Sequence, residues 1–319
     1  MSKPLLQAKQ VTKYFGKRTL LGRRRFRAVH DVSFQLSAGE VLAIVGESGS
    51  GKSTLARMAT HLIPVSEGDI LFDGVSIHRD RKLRKELPTH IQMIFQDPFA
   101  ALNPHHTIGY IVGRPLQVQN KAAGDMRAKV LELLTSVGLT PAEEFIDKYP
   151  YQLSGGQKQR VMIAKVLGLS PKVIIADEPT SMLDVSIGID IMNLMLDLKD
   201  RLGLAYVLIT HNLGSARYMA DRIMVMFAGQ AVESGPTEEV IADPKHPYTR
   251  LLLASSPDPW RAGDAALAAA SDAGLTAPPA AQGCAFRHRC PLATDECARS
   301  DIAMRAFPGG REARCIHAE

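Results

Sequence analysis

Apolar residues along much of this chain come in short solid runs. "VLAIV" (41–45), "VIIAD" (173–177) and "VLIT" (207–210) are each four or five residues long and end abruptly at a glycine, an acid or a histidine. Runs of that length, rich in β-branched residues and lacking polar alternation, predict strands buried on both faces of a parallel sheet. Elsewhere the period changes. "AGDMRAKVLELLTSVGL" (123–139) places apolar residues at i, i+3 and i+4 and predicts an amphipathic helix. The pattern as a whole predicts an α/β fold with parallel strands covered by helices. Its core lies near 41–95 and 170–235, and a small antiparallel part uses about 5–40 and 69–78. There is no internal repeat.

Composition narrows the class without choosing a function. The chain has 319 residues, 45% of them apolar and 22% charged, which suits a soluble globular protein. The net charge of +5 permits a phosphate ligand, a nucleic acid or an anionic membrane face. No run of about 18 uncharged apolar residues exists, so no membrane-spanning helix is expected. "MSKPLLQAKQ" lacks an apolar core of signal-peptide length, and a cytosolic location is expected.

The first chemistry follows the first apolar run. "GESGSGKST" (46–54) stands between that strand and the helical stretch "STLARMATHL". It has the glycine–x4–glycine–lysine–serine form of a phosphate-binding loop. Glycines let backbone N–H groups curl around a polyphosphate, and the helix N-terminus adds partial positive charge. Lys52 is placed for the outer phosphates, and the Ser53 hydroxyl for Mg²⁺. A second run ends in Asp177-Glu178. A carboxylate at a strand end is where a phosphoryl-transfer site places its Mg²⁺ partner, and Glu178 is next in line to take a proton from water.

Between these two motifs lies "LSGGQ" (153–157). In that position it resembles the signature of the ATP-binding-cassette ATPases, and the order of motifs along the chain is similar to that family's throughout. Gln96 in "IQMIFQDP" resembles the Q-loop, "SMLD" (181–184) the D-loop ending in Asp184, and Thr210-His211 the switch histidine. Phe15 in "VTKYFG" stands where the family stacks adenine, in preference to Tyr14.

The resemblance implies a P-loop NTPase ABC cassette. It would have a RecA-like parallel-sheet core, an antiparallel β subdomain and a helical subdomain at about 97–165, all within residues 1–250. A linker (251–283) and a Cys-rich segment (284–319) would follow. It implies that Phe15, Gly46, Ser48, Gly49, Gly51, Lys52, Ser53, Thr54 and Asp177 bind ATP. Ser154, Gly155 and Gly156 would face the ATP held by a second subunit, and Gln157 and Asp184 would also bind nucleotide. Ser53, Gln96 and Asp177 would hold Mg²⁺. Glu178 would be the catalytic base, His211 would hold the γ-phosphate, and Gln96 would couple metal and water to the loop that follows. The activity implied is Mg²⁺-dependent ATP hydrolysis. Met182, Asn212 and "AKVLGLSPK" (164–172) depart from the commonest family pattern.

Two further stretches narrow the resemblance to ATPases of oligopeptide, dipeptide and nickel importers. "DPFAALNPHHTIG" (97–109) is similar to their permease-facing loop, and "DPKHPYTRLLLASSPDP" (243–259) to their tail motif. Read locally, the second is a proline-punctuated turn entering a helix. The implied partners are a second ABC ATPase subunit, expected to be a paralogue, two transmembrane permease subunits and an extracytoplasmic solute-binding protein. No nucleic acid is expected. The implied location is peripheral, on the cytoplasmic side of the inner membrane. A non-transport cassette of the DNA-repair type, and an importer of nickel or oligosaccharide, remain the alternatives. The insertion at 16–34 carries Arg23, Arg24, Arg25 and Arg27, which suit either anionic headgroups or plain solvation.

All four cysteines fall late: Cys284, Cys290, Cys297 and Cys315. Four thiols close in sequence, in a reducing compartment, point to a metal centre. Their spacing is not the C-x2-C of most zinc sites, and a cysteine followed by proline occurs in iron–sulfur ligation. The family resemblance implies a 4Fe–4S cluster. Zn²⁺ stays open as the alternative, as do uncoordinated or disulfide-linked thiols. His288 and His317 are spare donors.

Overall fold

The computed structural model describes residues 3–16, 26–119, 124–255, 282–299 and 302–318. In chain order the first elements are β1 (Leu6–Phe15), β2 (Phe26–Leu36), β3 (Val41–Val45), α1 (Lys52–Ala59), β4 (Glu67–Phe72) and β5 (Val75–Ser76). Then come α2 (Arg81–His90), β6 (Ile91–Ile94), α3 (Pro98–Ala101), α4 (Ile108–Val118), α5 (Met126–Ser136), α6 (Glu143–Ile146) and α7 (Gly155–Leu167). They are followed by β7 (Val173–Asp177), α8 (Val185–Leu202), β8 (Ala205–Thr210), α9 (Leu213–Met219), β9 (Arg222–Phe227) and β10 (Gln230–Pro236). The last are α10 (Thr237–Ala242), α11 (Pro247–Ser255), α12 (Glu296–Arg299), β11 (Arg305–Phe307) and β12 (Arg311–Ala313). No described helix is long and apolar enough to cross a membrane.

The chain divides into two compact units. One holds residues 37–40 and 79–207; the other holds 3–36, 41–78 and 208–319. In the first unit β6 and β7 pair in parallel, with Ile94 opposite Ala176. All five residues of β7 are buried, which is why that run carries no polar alternation. Helices α4, α5 and α7 pack through Val112, Leu116, Val130, Leu134 and Val161. The period read over 123–139 corresponds to α5, which Asp125 caps by accepting from Arg127 N at 2.9 Å.

The second unit contains two sheets. The antiparallel one runs β2-β1-β4-β5. Alternate residues of β1 meet apolar partners on β2: Leu6 faces Leu36 and Ala8 faces Phe34. In the other, β3 pairs in parallel with β9, β9 turns back into β10, and β12 pairs with β10, with Glu233 opposite Ala313. The β9–β10 turn has φ of 48° at Ala228 and 85° at Gly229, the two left-handed positions of a tight hairpin.

The Cys-rich stretch 284–319, expected as a segment of its own beyond a linker, instead pairs with β10 through β12. The expected linker also starts too early, since residues 251–255 complete α11. Residues 256–281 lie outside the described residues, as do Arg23, Arg24 and Arg25.

Behind β10 the "HPYT" element is buried rather than superficial. His246 is 1% exposed and Tyr248 0%. The Glu233 carboxylate accepts from Lys245 N at 2.7 Å and His246 N at 2.8 Å, so a buried acid anchors two backbone amides. His246 Nδ1 accepts from Tyr248 N at 3.0 Å. Burial, aided by the Arg314 charge, pushes the His246 imidazole down from its ordinary 6.5 to about 3. The unfolded chain therefore binds a proton below pH 6.5 that the native chain refuses until about pH 3. Stability should fall on acidification through that window, by at most about 1.4 kcal/mol per pH unit. His246→Asn keeps a side-chain acceptor two residues before Tyr248 N but cannot titrate. Thermal melts from pH 7 to pH 4 should show a shallower slope for that variant; an unchanged slope refutes the assignment.

Candidate functional site

Strand β3 delivers the chain to Gly46, where no side chain fits. Its φ is +155°, and a Cβ there would stand 2.1 Å from the Met226 carbonyl oxygen. At Gly51, φ is +100° and a Cβ would lie 2.5 Å from the Ala28 carbonyl oxygen. Between these fixed points Ser48 and Gly49 are exposed, with open space where a Gly49 side chain would be. Lys52, the first residue of α1, is 5% exposed. Its Nζ donates to Gly46 O at 2.7 Å and Glu47 O at 2.8 Å. The ammonium thus lies over the loop's own carbonyls, beside the N-terminus of α1, a place suited to an anion. Ser53 and Thr54 follow, half-buried, in the first helical turn.

Other predicted residues of this unit lie at strand ends. Phe15 closes β1 with 41% of its surface exposed, and Lys13 Nζ stands 5.2 Å from its ring centroid. His211 is exposed just past the buried run of β8. Asn212, one of the departures from the family pattern, caps α9: its Oδ1 accepts from Gly214 N at 2.8 Å and Ser215 N at 3.3 Å.

The other unit brings Gln96 and Glu178 together. Each lies two residues beyond the Ile94–Ala176 register pair of the parallel strands β6 and β7. Gln96 Nε2 donates to Glu178 Oε2 at 2.9 Å. Glu178 has a φ of +48°, a left-handed backbone that costs a side-chain-bearing residue about 1–2 kcal/mol. Asp177, at the end of β7, is 6% exposed.

Ser154 caps α7 reciprocally with Gln157. Its Oγ accepts from Gln157 N at 3.3 Å, and Gln157 Oε1 accepts from Ser154 N at 3.0 Å. The Gln157 side chain is thereby engaged in the cap, whereas Ser154 itself is exposed. A Cβ at Gly156 would sit 2.7 Å from Ile187 Cγ2, and one at Gly155 3.2 Å from Leu183 Cδ2. Glycine therefore lets α7 start close against the start of α8. Asp184 is the N-cap residue of α8 and makes no side-chain capping bond. Met182 and Val185 beside it are exposed, Val185 by 82%.

Two residues that touch the phosphate loop have no signal in the loop motif. Tyr248 Oη accepts from Glu47 N at 2.9 Å, and Arg289 meets the Glu47 carboxylate with two nitrogens, each at 2.9 Å. The "HPYT" stretch is the only sequence hint of the first. Nothing in the sequence marks the second.

Ser53 in one unit, and Gln96 and Asp177 in the other, each offer oxygen, the donor type that a hard cation such as Mg²⁺ takes. The cysteines are less suited to a metal centre. Cys297 Sγ lies 3.5 Å from His317 Nε2, within hydrogen-bonding reach. Among the described residues, no group of three or more His, Cys, Asp or Glu side chains is placed to hold one metal ion. The expectation of a 4Fe–4S or zinc centre is not supported by this arrangement, and no chemistry is derived from it.

Residues 29–181 match the family model described as ABC transporter, and residues 232–297 the one described as Oligopeptide/dipeptide transporter, C-terminal region. The chain is 40% identical to the Dipeptide transport ATP-binding protein DppF of Haemophilus influenzae, across 98% of this chain and 97% of that one. It is 43% identical to the Oligopeptide transport ATP-binding protein AppF of Bacillus subtilis, across 92% and 91%. Among solved structures it resembles the dimeric post-hydrolysis state of the ATP-binding cassette MJ0796 bound to ADP and Pi. That match has a TM-score of 0.64 and 32% identity, over 73% of this chain and 98% of that one.

Proposed function

The chain belongs to the ABC transporter family as an ATP-binding and hydrolysing subunit, and from that premise we propose that it powers uptake of dipeptides or oligopeptides through a membrane permease. The observation that carries the substrate class is the likeness of both the cassette and the C-terminal region to peptide-transport ATP-binding proteins. That likeness leaves the DNA-repair, nickel and oligosaccharide alternatives without support of their own.

In this reading Phe15 stacks on adenine, while Lys52 and the amides around Ser48 and Gly49 take the phosphates. Ser53, Gln96 and Asp177 would hold Mg²⁺, which would supply charge neutralisation at the phosphate oxygens. Glu178, oriented by Gln96, accepts a proton from water as the water oxygen bonds to the γ-phosphorus and the bond to the β-phosphate oxygen breaks. ADP and phosphate result. His211 holds the γ-phosphate. Ser154, Gly155 and Gly156, with Asp184 nearby, face the ATP of a second cassette, and exposed Met182 and Val185 suit that interface. The second cassette is a paralogue, the permease is a pair of transmembrane subunits, and a solute-binding protein delivers the peptide. The chain then lies on the cytoplasmic side of the membrane, attached through the permease.

The test is reconstitution of the full complex in lipid vesicles, with ATP turnover measured against solute-binding protein loaded with dialanine or tetra-alanine. Peptide-dependent stimulation is expected. Turnover indifferent to both peptides, yet stimulated by nickel or an oligosaccharide, would overturn the substrate class.

A further inference from the structure

Glu47 follows the first glycine of the phosphate loop, and three of its groups are engaged by different parts of its unit. Its N–H donates to Tyr248 Oη at 2.9 Å. Its carbonyl oxygen accepts from Lys52 Nζ at 2.8 Å. Its carboxylate is gripped by Arg289, Nη1 to Oε2 and Nη2 to Oε1, both at 2.9 Å. This paired geometry is the strongest and most directional form of ion pair. The Arg289 side chain is 9% exposed and that of Glu47 36%, so the guanidinium is sheltered while water reaches the pair from the Glu47 side.

Aromatic rings and a short turn support Arg289. Its guanidinium lies 5.8 Å from the Phe227 ring centroid and 5.6 Å from that of Phe286, within cation–π range. Phe227 and Tyr248 are 4.6 Å apart, and Tyr248 and Phe286 5.4 Å. Arg289 projects from a short turn closed by Arg289 N donating to Phe286 O at 2.9 Å. Cys284 precedes that turn and Cys290 follows it. Cys284 N in turn donates to Cys297 O at 2.8 Å.

We propose that Arg289, with Tyr248, is a positioning residue for ATP: acting through Glu47, it fixes the loop carbonyls that hold Lys52, so that the shape of the 284–297 turn sets the affinity of the phosphate loop. The proposal rests on the nucleotide reading above. It gives the C-terminal region a task at the ATP site. Removing the guanidinium leaves the Glu47 carboxylate without its partner and the loop free to turn that carboxylate toward water, taking the Glu47 carbonyl with it.

The experiment uses the purified full-length chain for Mg-ATP binding by calorimetry, and the assembled complex for ATPase kinetics. Arg289→Ala should raise both the ATP Kd and the KM about tenfold, while kcat changes by less than about twofold. Arg289→Lys should recover part of the loss, because it restores the charge without the paired geometry. Glu47→Gln combined with Arg289→Ala should be no worse than Arg289→Ala alone, because both act through one contact. A merely structural anchor would lower the melting temperature and leave Kd and KM unchanged. That result in a folded Arg289→Ala protein overturns the proposal, as does full additivity in the double variant. Should Arg289→Ala fail to fold, Glu47→Gln decides alone: a raised Kd supports the proposal and an unchanged one overturns it. If the unsubstituted chain binds no ATP, the nucleotide reading falls and takes this inference with it.

Discussion

Glu178→Gln should lower ATP turnover in the assembled transporter about a thousandfold, the scale expected for loss of a general base, while ATP binding persists. The substitution is nearly isosteric, so it keeps the left-handed backbone at this position and a polar partner for Gln96. It removes only the capacity to accept a proton from water. Phosphate release measures turnover, and equilibrium binding of Mg-ATP measures the rest. Undiminished turnover would take Glu178 out of the base role. Lost binding would mean that the carboxylate shapes the site instead of acting in it.

Ser154→Asp should be almost as damaging to turnover and nearly silent in stability. Aspartate is as good an N-cap as serine, so α7 keeps its start and its reciprocal bond with Gln157. What changes is the charge offered to a facing phosphate, from a neutral hydroxyl to an anion. If the exposed start of α7 meets the γ-phosphate held by the second cassette, ATPase activity of the complex should fall about a hundredfold. The isolated chain should still bind ATP through its own loop and melt within about 2 °C of the parent. Normal turnover in this variant would remove the signature from the shared site.

The strands were legible because parallel strands buried on both faces must be apolar throughout, and β3 and β7 are. The phosphate loop was legible for a similar reason. Gly46 and Gly51 admit no side chain, so their spacing is written into the sequence as glycine. Gln96 and Glu178 were named separately, and their hydrogen bond depends on a parallel register that no local pattern encodes. The role of the tail was the least visible. Arg289 reaches Glu47 across 242 positions, and Glu233 gathers the amides of Lys245 and His246 after a change of direction. An arginine beside a cysteine and an acid in a strand have ordinary surface meanings until the fold buries them. The Met182 departure lies exposed just before α8, and its burial state could not be read from the motif.

The discontinuity of the second unit affects how the protein is made. The unit built mainly from 79–207 is nearly continuous in sequence, so most of its partners are present once residue 207 has left the ribosome. The unit with the phosphate loop must wait, since β10 acquires β12 only after residue 313 has emerged. Pairings so far apart in sequence close slowly. Nascent protein should therefore acquire its helical half early and complete the sheet of the phosphate-loop unit last.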